Sequence, residues 1–176
     1  MTALDRPALT LTLNIHLRLA EKSDLSKLEW GGQFAHFRNL FRRAFREQLQ
    51  GRRIMLIADL NDYPIGHIFI QFRSSNKRIA DGSSRGYLYS FRVMEALQGH
   101  GIGTRLIHEA EARLLERGFS EVTIAVAKDN DGALRLYERH GYRTFGEDPG
   151  RWSYIDQTGF THQVEEPCWL LKKYIG

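Results

Sequence analysis

The sequence predicts a single α/β domain of the α+β type, in which strands and helices are interspersed along the chain. Its 176 residues are the usual length of one domain, and its 42% hydrophobic and 26% charged residues are an ordinary globular balance. Segments that alternate every second residue are interspersed with segments of helical periodicity, and no linker or internal repeat separates them. We therefore expect a flexible N-terminal tail over residues 1–10 and one domain over residues 11–176.

The first half of the domain is predicted to contain one strand, two helices and a hairpin. Strict alternation of apolar and polar residues over 11–19 is typical of a half-buried strand. A short helix that Ser23 or Asp24 can cap is followed by a second helix over residues 34–49, where phenylalanines recur at helical spacing. The hairpin has predicted strands over residues 53–60 and 65–72 and a turn over 61–64.

The second half of the domain alternates strands and helices. The helix that begins at Ile102 carries one apolar stripe and ends before Gly118, a common stop signal. In chain order, the predicted elements are a polar loop over residues 73–85, a strand over 87–94, a helix over 102–117, a strand over 121–127, a helix over 129–140 and two last strands near 142–145 and 163–171.

Composition restricts the function classes. The net charge of +4 suits a polyanionic small molecule, and without a recognisable motif a nucleic-acid partner is not expected. No apolar run reaches the roughly 18 residues of a membrane span, and the N-terminus lacks the order of a signal peptide, so we expect a cytoplasmic protein. The single cysteine, Cys168, lies in an apolar run that predicts burial, and no histidine or cysteine group has metal-ligand spacing.

A glycine cluster, Gln98-Gly99-His100-Gly101-Ile102-Gly103-Thr104, joins a predicted strand to an amphipathic helix. Free amides and the positive dipole end of a helix N-terminus favour a phosphate there, and glycines let the ligand approach closely. A phosphate-binding P-loop would need a lysine that the cluster lacks. A dinucleotide fingerprint would need a third glycine where Thr104 stands, and only about 70 residues follow it. A glycine-rich turn without a ligand remains the alternative.

Two motifs together resemble a known family. The strand Tyr87-Leu88-Tyr89-Ser90-Phe91-Arg92-Val93 and the glycine cluster resemble the coenzyme A signature of the GNAT superfamily (Gcn5-related N-acetyltransferases), whose pattern is Gln/Arg-x-x-Gly-x-Gly/Ala. Gln98, Gly101 and Gly103 match that pattern. The second signature of the family is similar to residues 129–142, and its matching positions are Asn130, Ala133, Leu136, Tyr137, Gly141 and Tyr142.

The resemblance implies a fold and a donor. The fold is a mixed, mostly antiparallel sheet of about seven strands flanked by about four helices, splayed between its fourth and fifth strands. Acetyl-CoA would be the acyl donor, bound in that gap as an added strand through main-chain groups of Phe91, Arg92 and Val93. The remaining cofactor-binding positions implied are Gln98, Gly99, His100, Gly101, Ile102, Gly103 and Thr104 at the pyrophosphate, Asn130 and Ala133 along the pantetheine arm, and Tyr137 near the sulfur.

The implied reaction is direct attack of a primary amine on the thioester in a ternary complex. A thiol has a pKa of about 8.5 and a phenol about 10, so we expect catalytic Tyr137 to act mainly as a hydrogen-bond donor to the developing thiolate. A core role for its ring is the alternative. Simple alternation would put Tyr89, Phe91 and Val93 on one face of the strand. A main-chain N–H of the splayed strand, near Val93, is the candidate oxyanion donor. We name no general base; residues considered are Glu29, His67, Glu95, Glu147 and Asp148.

Several aspects of function stay open at this stage. In this family the first helices and the last loop wall the acceptor site, which here means residues 30–46 and 145–163, both rich in aromatic side chains. The acceptor is expected to be an amine of a small molecule or peptide. The alternatives are a protein N-terminal or ribosomal-protein acetyltransferase, which predicts an open groove, and a non-catalytic acyl-CoA sensor. An exposed edge of a late strand would allow a homodimer.

Overall fold

The structure, a computed structural model, describes residues 10–176, so the predicted tail lies outside the described residues except for Thr10. Within that range the helices are α1 (Arg38–Leu49), α2 (Ile102–Glu116) and α3 (Asp131–Arg139). The strands are β1 (His16–Leu19), β2 (Arg53–Leu60), β3 (Tyr63–Gln71), β4 (Arg85–Val93), β5 (Glu121–Ala127), β6 (Arg143–Asp148), β7 (Arg151–Ile155), β8 (Thr161–Glu165) and β9 (Cys168–Tyr174). No helix in the described part of the chain is long and apolar enough to cross a membrane.

Seven strands form the main sheet, in the order β1-β2-β3-β4-β5-β9-β6. Every pair in it is antiparallel except β4 and β5, which run parallel. The pairing of β4 with β5 extends from Arg85 opposite Glu121 to Leu88 opposite Ile124 and then stops, although both strands continue. The mixed sheet splayed between its fourth and fifth strands is therefore confirmed.

Helices cover both faces of the sheet because its strands alternate apolar side chains between two cores. Leu106 and Leu114 of α2 pack on one face with Leu56 of β2. Phe41 of α1 packs on the other face with Met55, the neighbour of Leu56. The stripe predicted for α2 is buried as expected, and its members are Ile102, Leu106, Ile107, Ala110 and Leu114.

The segment before α1 forms two 3-10 turns, Lys22–Asp24 and Lys27–Glu29, instead of the predicted short helix. Asp24 is fully buried and accepts hydrogen bonds from the Glu21 amide at 2.7 Å and from Arg18, which ties this segment to β1. Trp30 then adopts a left-handed conformation with φ of 45°, which no α-helix can continue through. The predicted second helix is present, but its regular α part begins at Arg38.

The first strand is shorter than predicted and covers only His16–Leu19. It pairs with β2 alone, and β2 turns into β3 after Leu60, so residues 11–14 have no neighbouring strand to pair with. The turn is present but shorter than the predicted 61–64, since β3 already begins at Tyr63. Asn61 and Asp62 both have positive φ, as the two central residues of a type I′ hairpin turn require.

The end of the chain differs most from the prediction. The strand expected near 163–171 is two strands, β8 and β9, and Pro167, which has no amide hydrogen for a ladder, lies between them. An unpredicted strand, β7, pairs with β8 in a separate hairpin. This hairpin packs on α1, where the Asn39 side-chain amide donates to the Asp156 carbonyl at 2.7 Å and the rings of Phe37 and Tyr154 lie 5.1 Å apart.

Candidate active site

The site is built around the gap between β4 and β5. Beyond Leu88 and Ile124 the two strands no longer pair, so one edge of β4 has main-chain groups that β5 does not satisfy. The Met94 amide donates to the Ile65 carbonyl of β3 at 2.9 Å. Since successive amides of a strand point to opposite sides, the preceding Val93 N–H points into the gap. An extended molecule in the gap would find hydrogen-bonding partners along β4.

The glycine cluster lies at one end of the gap and forms the start of α2. Gly99 and Gly101 have φ of 77° and 83°, and a side chain added at either position would meet nothing within 4 Å. The first-turn amides of Ile102, Gly103 and Thr104 have no acceptor within their own helix. This arrangement of open space, free amides and a helix N-terminus fits a phosphate group.

Side chains of the cluster hold the loop in place. The Gln98 amide donates to the Val93 carbonyl at 2.9 Å, so this side chain fixes the end of β4. The His100 Nδ1 lies 2.8 Å from the Gln98 carbonyl and tightens the turn. Thr104 Oγ1 lies 3.2 Å from His140 Nε2 and connects α2 to the end of α3. The side chain of Ile102 is buried in the core, so only its main chain faces the loop.

The second predicted signature begins at the N-terminus of α3. Asn130 is the N-cap of this helix, and its side-chain oxygen accepts from the Ala133 amide at 3.0 Å. Ala133 packs against the core on the α2 face of the sheet. The signature asparagine therefore stabilises the helix that carries Tyr137.

Replacing Asn130 with alanine is expected to lower the free energy of unfolding by about 1 kcal/mol, the usual cost of a lost N-cap. Chemical denaturation of the variant and of Asn130→Asp measures this, because aspartate caps as well as asparagine does. If Asn130 also lines the pantetheine arm, the aspartate variant keeps its stability but binds acetyl-CoA more weakly. Equal stability of the alanine variant and the parent protein would contradict the capping role.

Tyr137 lies on the α2 face of the sheet, beside the gap. Its ring is buried, with its centre 6.3 Å from that of Phe91 on β4 and 6.0 Å from that of Tyr142. The hydroxyl makes no hydrogen bond with another residue in the described range 10–176. Burial raises the pKa of Tyr137 above its usual value, so the hydroxyl keeps its proton and is available as a donor.

A β-bulge in β4 changes which side chains face each side. Arg92 is opposite His67 and Tyr89 is opposite Phe69, so three residue steps on β4 match two on β3, and Ser90 takes the extra place with φ of 49°. The prediction that Tyr89, Phe91 and Val93 share a face is therefore wrong. Phe91 and Val93 pack with the α2 core, whereas Tyr89 packs with the α1 core.

A cavity of about 720 Å³ lies on the α1 face of the sheet, beside the same gap. Its floor includes residues of β4, β5 and β9, and its walls include α1 and the β6–β7 turn. The two segments predicted to wall an acceptor site, 30–46 and 145–163, both contribute to it. Aromatic residues that line it include Phe37, Phe41, Phe69, Tyr87, Tyr89 and Trp152.

Most of the arginines that line the cavity form ion pairs. Arg43 and Arg53 share the Glu47 carboxylate, and Arg151 contacts Glu165 at 3.3 Å. Arg92 differs, because no carboxylate in the described part of the chain forms an ion pair with it. Its guanidinium instead lies over aromatic rings, and burial lowers the pKa of Arg92. This arrangement could not be predicted from the sequence, because alternation alone does not reveal a bulge.

Residues considered as a general base are mostly engaged elsewhere. Glu29 forms an ion pair with Arg38, and Glu147 forms one with Lys128. His67 lies in the buried core, and Glu95 is on the surface. Asp148 is the one that lines the cavity, where it accepts from the Gly150 amide at 2.8 Å. Cys168 is buried as predicted, and burial raises the pKa of its thiol. Among residues 10–176, no cluster of three or more histidine, cysteine or carboxylate residues is arranged to hold a metal ion.

Comparison with known proteins agrees with this geometry. Residues 22–142 match the acetyltransferase (GNAT) family. An N-acetyltransferase from Staphylococcus aureus Mu50 superposes with a TM-score of 0.69 at 12% identity, over 93% of this chain and 99% of that one. NAA60 from Arabidopsis thaliana, in complex with acetyl-CoA, gives 0.68 at 19% identity, over 92% and 99%. A ribosomal-protein-alanine N-acetyltransferase from Escherichia coli gives 0.67 at 18% identity, over 93% and 95%.

Proposed function

We propose that this chain, which belongs to the acetyltransferase (GNAT) family, transfers the acetyl group of acetyl-CoA to a primary amine of a small molecule. The observation that carries the proposal is the gap between β4 and β5. The glycine cluster at the start of α2 borders it, and the cavity lies beside it on the α1 face. A donor held in the gap would therefore present its thioester to an acceptor in the cavity.

On the donor side, we assign the predicted cofactor-binding residues the following roles. The amides of the first turn of α2 bind the pyrophosphate, with Gly99 and Gly101 leaving room for it. The unpaired edge of β4, from Phe91 to Val93, binds the pantetheine arm through main-chain hydrogen bonds. The complex of NAA60 with acetyl-CoA supports this use of the shared fold.

The reaction requires few groups once both substrates are held together. The acceptor nitrogen attacks the thioester carbon, a C–N bond forms, the C–S bond breaks, and the acceptor nitrogen loses a proton to solvent or to a base. The Val93 N–H, which points into the gap, stabilises the oxyanion. The Tyr137 hydroxyl donates a hydrogen bond to the departing sulfur and stabilises the developing thiolate, which then takes a proton from solvent.

The shape of the acceptor side favours a small molecule over a protein terminus. The hairpin of β7 and β8 contacts α1 through Phe37, Trp152 and Tyr154, and so forms a wall that narrows the cavity. A protein acceptor would need an open groove in this place. Acetylation of a protein N-terminus or of a ribosomal protein is nonetheless the second candidate, because relatives of the same fold are described with that activity.

Thiol release from acetyl-CoA tests the proposal against a panel of amino acids, polyamines, aminoglycosides and short peptides. Turnover with one acceptor class identifies the enzyme and its substrate type. Calorimetric titration with acetyl-CoA is the parallel measurement, and binding is expected with or without an acceptor. Binding without turnover on any acceptor would favour a non-catalytic acyl-CoA sensor. Absence of acetyl-CoA binding would overturn the proposal.

A further inference from the structure

We infer that the acceptor carries a carboxylate close to its amine, and that the side chain of Arg92 binds this carboxylate in the cavity. The inference rests on the proposed function and narrows its substrate class to amino carboxylic acids. It concerns the guanidinium of Arg92 on the cavity side, whereas the donor site uses only the main chain of this residue. The bulge at Ser90 is what directs the side chain to the α1 face.

The environment of Arg92 suits an anion that arrives from outside the chain. Its guanidinium carbon lies 4.5 Å from the ring centre of Phe34 and 5.1 Å from that of Phe37. Its Nη1 donates to the Ser90 hydroxyl at 3.2 Å. This is the hydrogen bond that the guanidinium makes with the described part of the chain. Aromatic rings and one hydroxyl leave most of the five guanidinium donors free.

A half-buried cation without an ion-pair partner is costly, because burial removes water and no carboxylate of the described chain lies in ion-pair contact with Arg92. The neighbouring arginines of the cavity avoid this cost, since Arg43, Arg53 and Arg151 each have a glutamate partner. A carboxylate can pair with a guanidinium through two parallel hydrogen bonds, which is the strongest and most directional neutralisation available to Arg92. Cation–π contacts alone compensate the charge only partly.

The guanidinium is also held in position before any ligand binds. Ser90 Oγ, its hydrogen-bond partner, lies 3.3 Å from His67 Nε2, and His67 is fully buried between strands and aromatic rings. A fixed guanidinium loses little entropy when it captures a carboxylate, so it can select substrates effectively. Asp148 and Glu166 also line the cavity and offer negative charge to the amino group of the acceptor. The aromatic walls suit an apolar side chain on the same molecule.

The experiment compares each common α-amino acid with its amide and with the amine that lacks the carboxyl group, using thiol release from acetyl-CoA. Phenylalanine, phenylalaninamide and phenethylamine are one such trio, chosen for the aromatic walls. For the best acceptor, kcat/KM is expected to be at least about tenfold higher for the acid than for its amide. Arg92→Met should remove this preference by raising KM for the acid only.

Two controls separate the outcomes. Arg46→Met removes an equal charge from the exposed side of α1, and should keep the preference for the acid. Calorimetric binding of N-acetyl-phenylalanine and of its amide reports on the carboxylate without any turnover. Turnover with amines that is indifferent to the carboxylate, or a preference that survives in Arg92→Met, overturns the inference and leaves the proposed function intact. Failure to bind acetyl-CoA would instead refute the proposed function.

Discussion

Replacing Tyr137 with phenylalanine is expected to lower kcat about a hundredfold, which corresponds to about 2.7 kcal/mol of transition-state stabilisation. The hydroxyl is the group removed, and it has no hydrogen-bond partner in the described chain, so the fold should not depend on it. The phenyl ring keeps its packing against Phe91 and Tyr142. We therefore expect the loss in kcat, with little change in the affinity for acetyl-CoA or in Tm.

Tyr142→Phe is the matched control, because the Tyr142 hydroxyl has a hydrogen-bond partner in the fold whereas the Tyr137 hydroxyl has none in the described chain. The hydroxyl of Tyr142 donates to the Glu111 carboxylate at 2.8 Å, and its ring is fully buried. Its removal should cost about 1–2 kcal/mol of stability and leave kcat of the folded protein unchanged. Steady-state kinetics, titration with acetyl-CoA and thermal unfolding of both variants measure the contrast. A kcat within twofold of the parent for Tyr137→Phe would restrict Tyr137 to a packing role.

Acid should destabilise this protein well above the pH at which carboxylates titrate, because of His67. Burial, with a smaller contribution from the positive charge of Arg92, lowers the pKa of His67 to about 3. The unfolded chain takes up the proton near pH 6.5, whereas the folded protein does not. The free energy of unfolding is therefore expected to fall by about 1.4 kcal/mol per pH unit below pH 6.5, or about 2.7 kcal/mol by pH 4.5.

Urea unfolding at pH 7.5, 5.5 and 4.5 measures this slope for the parent protein and for His67→Leu. The leucine variant removes the titrating group, and the imidazole Nδ1 that it deletes has no hydrogen-bond partner among residues 10–176. The variant should lose most of the slope across this range. The partly buried His140, whose pKa is also lowered, adds a smaller slope that both proteins share. Identical slopes in the two proteins would show that His67 is protonated in the folded state.

Local sequence patterns predicted those elements whose structure depends on local forces. The strands over residues 53–60 and 121–127 agree residue for residue, because turns or glycines bound continuous apolar runs. The helix after the glycine cluster begins at Ile102 as predicted and ends one residue early. The linked signatures also predicted the splayed sheet, because their resemblance to the GNAT superfamily implies a sheet whose fourth and fifth strands splay apart.

Features that depend on distant partners could not be predicted. The first strand is short because β2 ends, which alternation within residues 11–19 cannot reveal. The hairpin of β7 and β8 has polar and exposed positions on both faces, so it lacks the apolar alternation of a core strand. Its stability comes from contacts with α1, more than a hundred residues earlier in the chain.

The candidate site divides in the same way. Local motifs predicted the donor side, since the glycine cluster and Asn130 act through their own helix termini. The acceptor side is assembled from β4, α1 and the late hairpin, and its unpaired cation depends on a single inserted residue. The roles of these residues in binding and catalysis remain predictions for the experiments above.

The bulge at Ser90 makes the backbone conformation of one residue a determinant of the reaction. Before Ser90, the odd-numbered side chain of Tyr89 faces α1, whereas after Ser90 the odd-numbered side chains of Phe91 and Val93 face α2. The same strand therefore contributes side chains to both the donor side and the acceptor side. If Ser90 took an ordinary extended conformation and paired like its neighbours, simple alternation would continue through β4 and move the guanidinium of Arg92 toward Tyr137, with Phe91 turned into the cavity. A change that removes the positive φ at Ser90 without deleting the residue would therefore exchange the surfaces met by donor and acceptor, whereas a substitution that tolerates positive φ would leave both in place.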